Sequence, residues 1–522
     1  MPGACDPRQK RINRMSLFAG FWLMSGWNTI TFMKKFNRVR NALHINHLYL
    51  LPTLMAGLLL MPVGWVTAQT FMTLHSFTNS SSDGSGCYAG LIASGNTLYG
   101  TTVSGGSSGN GTVFKVNADG TGYTNLHSFN YTAGANPYGT LILSDDRLYG
   151  TTFGGGNSGY GTVFAVNTNG TGFTNLHSFA AGSGTFPKVT NSEGANPFSG
   201  LVLSGNTLYG NAHFGGSASA GTVFAVHTDG TGFTNLHSFT ATSGSPATNS
   251  QGANPHGGLV LSGNTLYGTT INGGISGSGT VFALNTDGSD LRTLHSFDWS
   301  TNGSNPRAII ISGNTLYGTA SSGADPSSGT VFALNTNGMG FTNLHIFIQA
   351  PYSTNVGGAS PFGRLVLSGN ALYGTTLGGG SSGKGTVFAV NTDGSNFTSL
   401  YTFTGTSGSL STNSEGASLR AGLLVLGNTL YGTADRGGTW GSGTVFGLSL
   451  PSPPELKIIH SGTDLVLTWP STAAGFILYC TTNLALPNTW LEVEQVSVTN
   501  AFQISVTLPA SAEQKFFRLK SQ

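Results

Sequence analysis

The chain has 522 residues, room for two or three domains and a large buried core. Glycine is abundant at 79 residues and charged residues make up only 8%, but 38% hydrophobic content excludes a disordered polymer, and the lack of a triplet glycine period excludes collagen. The formal charge of +2 comes from residues 1–68, which hold eight Lys/Arg against Asp6; the remainder has 13 basic and 18 acidic residues, a mildly acidic body unsuited to nucleic acid.

The N-terminus reads as an export signal. Met33-Lys34-Lys35 with Arg38 and Arg40 forms a charged region, an apolar run follows from Leu48 to Val66, and Val66-Thr67-Ala68 offers a small-residue cleavage site. The run is near the minimum for a membrane span, so an anchor is the competing reading, but Pro52 and Pro62 interrupt it. The expectation is a start at Met33, cleavage after Ala68, and a secreted or cell-surface protein with no stable membrane span. Cys87 and Cys480 then remain, in different domains, so no disulfide framework is expected and packing must supply stability.

From residue 69 the chain repeats. Leu-Tyr-Gly recurs with its Leu at 98, 148, 208, 266, 316, 372 and 430, and Gly-Thr-Val-Phe begins 13 residues later each time. Leu-His-Ser-Phe begins at 74, 126, 176, 236 and 294, and degrades to Leu-His-Ile-Phe at 344 and Leu-Tyr-Thr-Phe at 400. Each repeat holds four short runs rich in β-branched and aromatic residues, joined by Gly/Asn/Asp turns. Four antiparallel strands per unit, seven times over, predict an all-β chain: a seven-bladed β-propeller over 69–450. The motif at Leu74–Phe77 is an orphan fourth strand and the last repeat lacks one, so the N-terminal strand should complete the seventh blade. A β-helix is the rival, but a period of 50–60 residues is too long for one of its coils.

These three motifs, in register seven times over residues 71–448, resemble the Gloeo/Verruco tandem-repeat (GloVer repeat) family of secreted bacterial proteins. The resemblance implies export and sometimes a C-terminal anchor, and it implies no established activity. This chain departs by ending in Phe-Phe-Arg-Leu-Lys-Ser-Gln, without an apolar sorting tail. After a Pro-rich linker at 451–455, residues 456–522 alternate like strands and suggest a small, fibronectin-III-like C-terminal β-sandwich.

Length variation falls in one place. The segment between the fourth strand of one repeat and the first strand of the next varies from 11 to 21 residues, while the rest is nearly fixed. Those segments share a face with the loops between second and third strands, and loops on a rigid scaffold carry binding. On that face, one residue per repeat stands at the entrance to each inner strand: Tyr88, Tyr138, Phe198, His256, Arg307, Phe362 and Arg420. These are candidate ligand-binding residues around the mouth of a central channel, since aromatic rings stack on sugars and Arg holds anions. The competing reading is that they wedge neighbouring blades together.

Other motifs are weighed down. Outer strands sit roughly 14 Å from the innermost ones at roughly 4.7 Å per strand, so His127, His177 and His237 cannot converge on a metal and should pack between blades with a hydrogen bond. Asn-x-Asp-Gly turns at Asp119, Asp287 and Asp393 lack the later acid of a calcium loop. No metal or cofactor is expected. Glu193, Glu415, Asp325 and Asp435 are the carboxylates nearest the variable face, and nothing pairs them for glycoside chemistry. The reading is an exported, monomeric, non-enzymatic binding protein for a glycan or a cell-surface partner. The alternatives are a structural or adhesive surface protein, and a carbohydrate-active enzyme such as a polysaccharide lyase.

Overall fold

A computed structural model describes residues 69–324, 327–348, 355–451, 455–471, 476–482, 490–494, 497–500, 503–510 and 515–521. The expected export signal with Met33 and Ala68, linker residues 452–454 and Asp325 lie outside the described residues. The protein is all-β, with no α-helix among the described residues, and falls into two compact units, residues 69–451 and 455–521.

The repeats fold as antiparallel sheets in a propeller-like arrangement. In the first, strands Ile92–Ser94, Thr97–Thr102, Thr112–Asn117 and Thr124–Ser128 pair in sequence order. Each repeat forms such a sheet. In the last, Leu424–Leu426, Thr429–Ala434 and Thr444–Ser449 are completed by Phe71–Ser76, which pairs antiparallel with Thr444–Ser449. The two ends of the repeat region are thus locked into one sheet by backbone hydrogen bonds.

The repeated motifs are explained by contacts. The glycine of Leu-Tyr-Gly faces the phenylalanine of Gly-Thr-Val-Phe across the sheet, as Gly100 faces Phe114. A Cβ on Gly100 would lie 2.6 Å from that ring, so only glycine leaves room for it. The terminal phenylalanine of each Leu-His-Ser-Phe motif then meets, edge to face, the Gly-Thr-Val-Phe ring of the following sheet. Phe129–Phe164 at 5.0 Å and Phe297–Phe332 at 5.2 Å are examples, and Phe77–Phe114 at 5.3 Å joins the last sheet to the first. All of these rings are fully buried, each contributing about 1.5–3 kcal/mol from area alone.

The outer histidines seal the same seams. A bulge between Val113 and Phe114 leaves Leu126 without a cross-strand partner, so that Leu126 is buried and His127 stacks on Phe173 of the next sheet at 3.8 Å. His75, His177, His295 and His345 stack likewise on Tyr123, Phe233, Phe341 and Phe397. His177 and His237 also hydrogen-bond Glu193 and Gln251, as expected. His127 differs: its Nε2 is buried with no partner, and burial pushes its pKa down to about 4.

Near the axis, the second strand of one sheet reaches the next through a side chain. Thr101 donates to the Pro137 carbonyl, Thr151 to Ser199, Asn211 to Gly257, Thr375 to Ala421, and Thr433 across the closure to Ala89. In the fifth sheet the equivalent Thr319 hydroxyl is buried without a partner.

The described residues of the C-terminal unit form two sheets. One comprises Lys457–Ser461, Asp464–Pro470, Gln503–Pro509 and Val498–Thr499; the other comprises Leu491–Glu492, Phe476–Thr481 and Phe516–Ser521. Leu467, Trp469, Leu478, Ile504 and Val506 form its core.

Candidate ligand-binding site

In the fourth and sixth sheets the inner strand is interrupted at the ring position. In the fourth sheet Ala253–Pro255 and Val260–Ser262 pair with the two halves of the same neighbour, Thr265–Asn272. His256 lies in the gap. Just before it, Asn254 adopts a positive φ of 58° and its amide donates to the His213 carbonyl of the preceding sheet. Asn136 and Asn196 do the same with Val103 and Phe153. Asparagine tolerates this left-handed backbone, and its amide ties the turn to the sheet before it. The interruption frees His256, which follows Pro255, from the pleat of the sheet; the equivalent residues follow Pro137, Pro197, Pro306 and Pro361, or Cys87 and Leu419.

All seven such residues, Tyr88, Tyr138, Phe198, His256, Arg307, Phe362 and Arg420, line one cavity of about 720 Å³, enclosed by the inner strands of the seven sheets. All seven are half-buried. They form a continuous ring of contacts. Tyr88 meets Tyr138 edge to face at 5.0 Å, Tyr138 stacks on Phe198 at 4.6 Å, and Phe198 lies 4.2 Å from His256. Arg307 donates from Nη1 to His256 Nε2 at 3.1 Å and lies 4.1 Å over the Phe362 ring. Arg420 sits 5.5 Å from Phe362 and 4.8 Å from Tyr88, closing the circle. Arg307, in the shortened repeat, keeps its place because Ser304–Ser312 is one unbroken strand and Ser321 accepts from its Nε.

The electrostatics divide the ring. Burial and then the Arg307 charge hold His256 well below its ordinary pKa, and burial pushes His213 beneath it down to about 4. A neutral His256 fits its role as acceptor from Arg307. Arg307 itself is lowered to about 10 by burial and by the Arg420 charge. Arg420 pairs with Asp435 at 3.4 Å; that carboxylate is buried, and burial raises its pKa against the two arginines beside it. One arc is therefore aromatic and the other cationic.

Among the described residues, several other carboxylates are engaged elsewhere. Glu193 accepts from His177 and the Ala180 backbone, and Glu415 accepts from the Thr404 backbone. Asp83 plays the same part for His75; burial raises its pKa, but the His75 hydrogen bond and other donors outweigh it and hold it at about 2. Asp119, Asp287 and Asp393 cap their own turns by accepting from Thr121, Ser289 and Ser395. Among the described residues no group of three or more His, Cys, Asp or Glu is placed to hold a metal.

The loops around the mouth are pinned. Asn191, Asn249 and Asn413 each satisfy both amide donors and both lone pairs, bridging a long insertion to the glycines of the neighbouring loop. On these loops Tyr131, Phe186, Trp299 and Trp440 are more than half exposed.

The sequence profile of the Gloeobacter/Verrucomicrobia repeat matches residues 65–248 and 246–446, most of the chain. The chain belongs to that repeat family. No curated protein matches it. Among solved structures this member of the Gloeobacter/Verrucomicrobia repeat family is similar to a putative 6-phosphogluconolactonase from Bacteroides fragilis (16% identity, 82% of this chain and 98% of that one, TM-score 0.42). It is also similar to an oligogalacturonate lyase in complex with manganese (12%, 74% and 97%, 0.44) and to one from Vibrio parahaemolyticus (11%, 74% and 99%, 0.44). At such low similarity none of their activities transfers to this chain.

In this member of the family the position after the proline was readable from the sequence. Two further features were not. Arg364 also lines the cavity, and Asp435 is the partner of Arg420. Arg364 had a signal: two residues beyond the ring position, Gly90, Thr140, Gly200, Gly258 and Gly422 stand in five of the other repeats.

Proposed function

We propose that residues 69–450 form a seven-bladed β-propeller of four-stranded blades, closed by the N-terminal strand and followed by a small fibronectin-III-like sandwich. The protein is exported and acts as a non-enzymatic binding protein. It recognises a glycan or another extracellular partner through its loop-rich face.

The observation that carries this reading is the ring. A purely architectural position would be filled by one residue type, as the outer histidine mostly is. Here seven positions hold Tyr, Tyr, Phe, His, Arg, Phe and Arg around a cavity of about 720 Å³, within the size range of small-molecule sites. Exposed Trp299, Trp440, Tyr131 and Phe186 on the surrounding loops add aromatic surface suited to sugar faces. The carboxylates an enzyme would need are engaged by His177, Arg420 and backbone donors, which favours binding over hydrolysis.

Glycan-array binding by the mature protein tests the reading. The combined Tyr138→Ala, Phe198→Ala, Phe362→Ala variant should lose the signal while staying folded. Release of reducing ends or unsaturated products from a polysaccharide panel would replace binding with catalysis.

A further inference from the structure

Arg364 lies two residues beyond the ring residue Phe362, in the same gap between the strands Ala359–Pro361 and Val366–Ser368, and both line the cavity. At that second position five of the other repeats carry Gly90, Thr140, Gly200, Gly258 and Gly422, the repeat of Arg307 carries the buried Ile309, and Arg364 is the one charged side chain. It lines the cavity, reaches water, and is still surrounded closely enough that burial lowers its pKa, as expected of a side chain standing inside a channel. Among the described residues its guanidinium makes no hydrogen bond and no ion pair. Arg307 bonds only the neutral groups Ser321 and His256. Arg420 alone has a carboxylate, Asp435.

Three guanidiniums therefore face one cavity with one carboxylate among them. The body of the chain outside residues 1–68 is acidic overall, so this excess of positive charge is local and not part of a basic surface. An unpaired guanidinium in a partly desolvated space is unfavourable unless a ligand neutralises it. Guanidinium forks match a carboxylate with two parallel hydrogen bonds. Beside them, the stacked Tyr138–Phe198 arc offers a flat apolar wall that a bare inorganic anion would leave unused.

We propose that the cavity binds a small organic carboxylate carrying a ring, its carboxylate held by the Arg364 guanidinium and its ring face set against Tyr138 and Phe198. This rests on the reading of the ring as a ligand site and names the chemistry of what enters it.

The test is calorimetric titration of the full chain with D-glucuronate and benzoate, each against its neutral counterpart, D-glucose and benzyl alcohol, and with inorganic phosphate. The expected result is saturable binding of at least one acid, about tenfold or more tighter than its counterpart and than phosphate. Arg364→Gln, which breaks no bond in the protein, should bring the acid to the level of the neutral compound without changing the melting temperature. Equal affinity for acid and neutral compound, unchanged binding in Arg364→Gln, phosphate binding as tightly as the acids, or no binding of either acid each overturns the inference. A glycan captured on the array and lost in the triple ring variant would, in that case, leave the ring itself standing as a site.

Discussion

The repeats build two concentric rings, one at the outer strands and one at the channel mouth, and the two differ in kind. The outer ring is nearly uniform: six of its seven positions are histidine and the seventh is Tyr401, and five of the histidines stack on an aromatic of the next sheet. The inner set lines one cavity from seven equivalent positions and holds four residue types. A seam between two like surfaces has one good solution and repeats it. A surface that meets something asymmetric has no reason to. Within a single chain, residue diversity at an equivalent position thus separates architecture from candidate function.

The comparison is broken most severely at the closure. Phe77 is fully buried and packs on Phe114 of the first sheet, so Phe77→Ala should cost about 3–5 kcal/mol by chemical denaturation and loosen the pairing of Phe71–Ser76. A loss below about 1 kcal/mol would mean that the N-terminal strand does not close the ring. At the outer ring, His295→Ala removes a stack at 3.9 Å and should cost about 1–2 kcal/mol with ligand binding unchanged. At the inner ring, Tyr138→Ala should do the reverse, leaving stability within about 1 kcal/mol and abolishing binding.

The outer ring should also respond to acid. Burial pushes His127, His295 and His345 down to about 4, from an ordinary 6.5 in the unfolded chain. A base with a depressed folded pKa resists protonation only while folded. Its contribution is intact above pH 6.5 and is lost as pH falls towards 4. Melting temperature should therefore drop across that window, and the combined His127→Phe, His295→Phe, His345→Phe variant should flatten the profile. The smallest effect is expected at Asp119, an exposed turn residue, where Asp119→Asn should leave the melting temperature unchanged within error, and added calcium should not shift it.

Much of this was legible in the sequence because the repeat is strict. Motif spacing placed the four main strands of each repeat, the orphan Leu74–Phe77 predicted the sheet that joins the two ends, and the entrance to each inner strand located seven residues that line the cavity. What escaped were contacts set by curvature rather than by register. The Arg420–Asp435 pair joins an inner strand to a loop 15 residues on, and Glu193 folds back onto His177 through an insertion whose hairpin has no repeat counterpart in the first sheet. Arg364 was overlooked although its signal was present, because attention to the ring position obscured the glycine layer beneath it.

The central claim is that the inner ring is a ligand site and the outer ring is not. Binding of one array-selected glycan should be measured for the wild-type protein, for the Tyr138→Ala, Phe198→Ala, Phe362→Ala variant and for His295→Ala. The account predicts full binding in His295→Ala despite its lower stability, and none in the folded ring variant. Unchanged binding in the ring variant would contradict it.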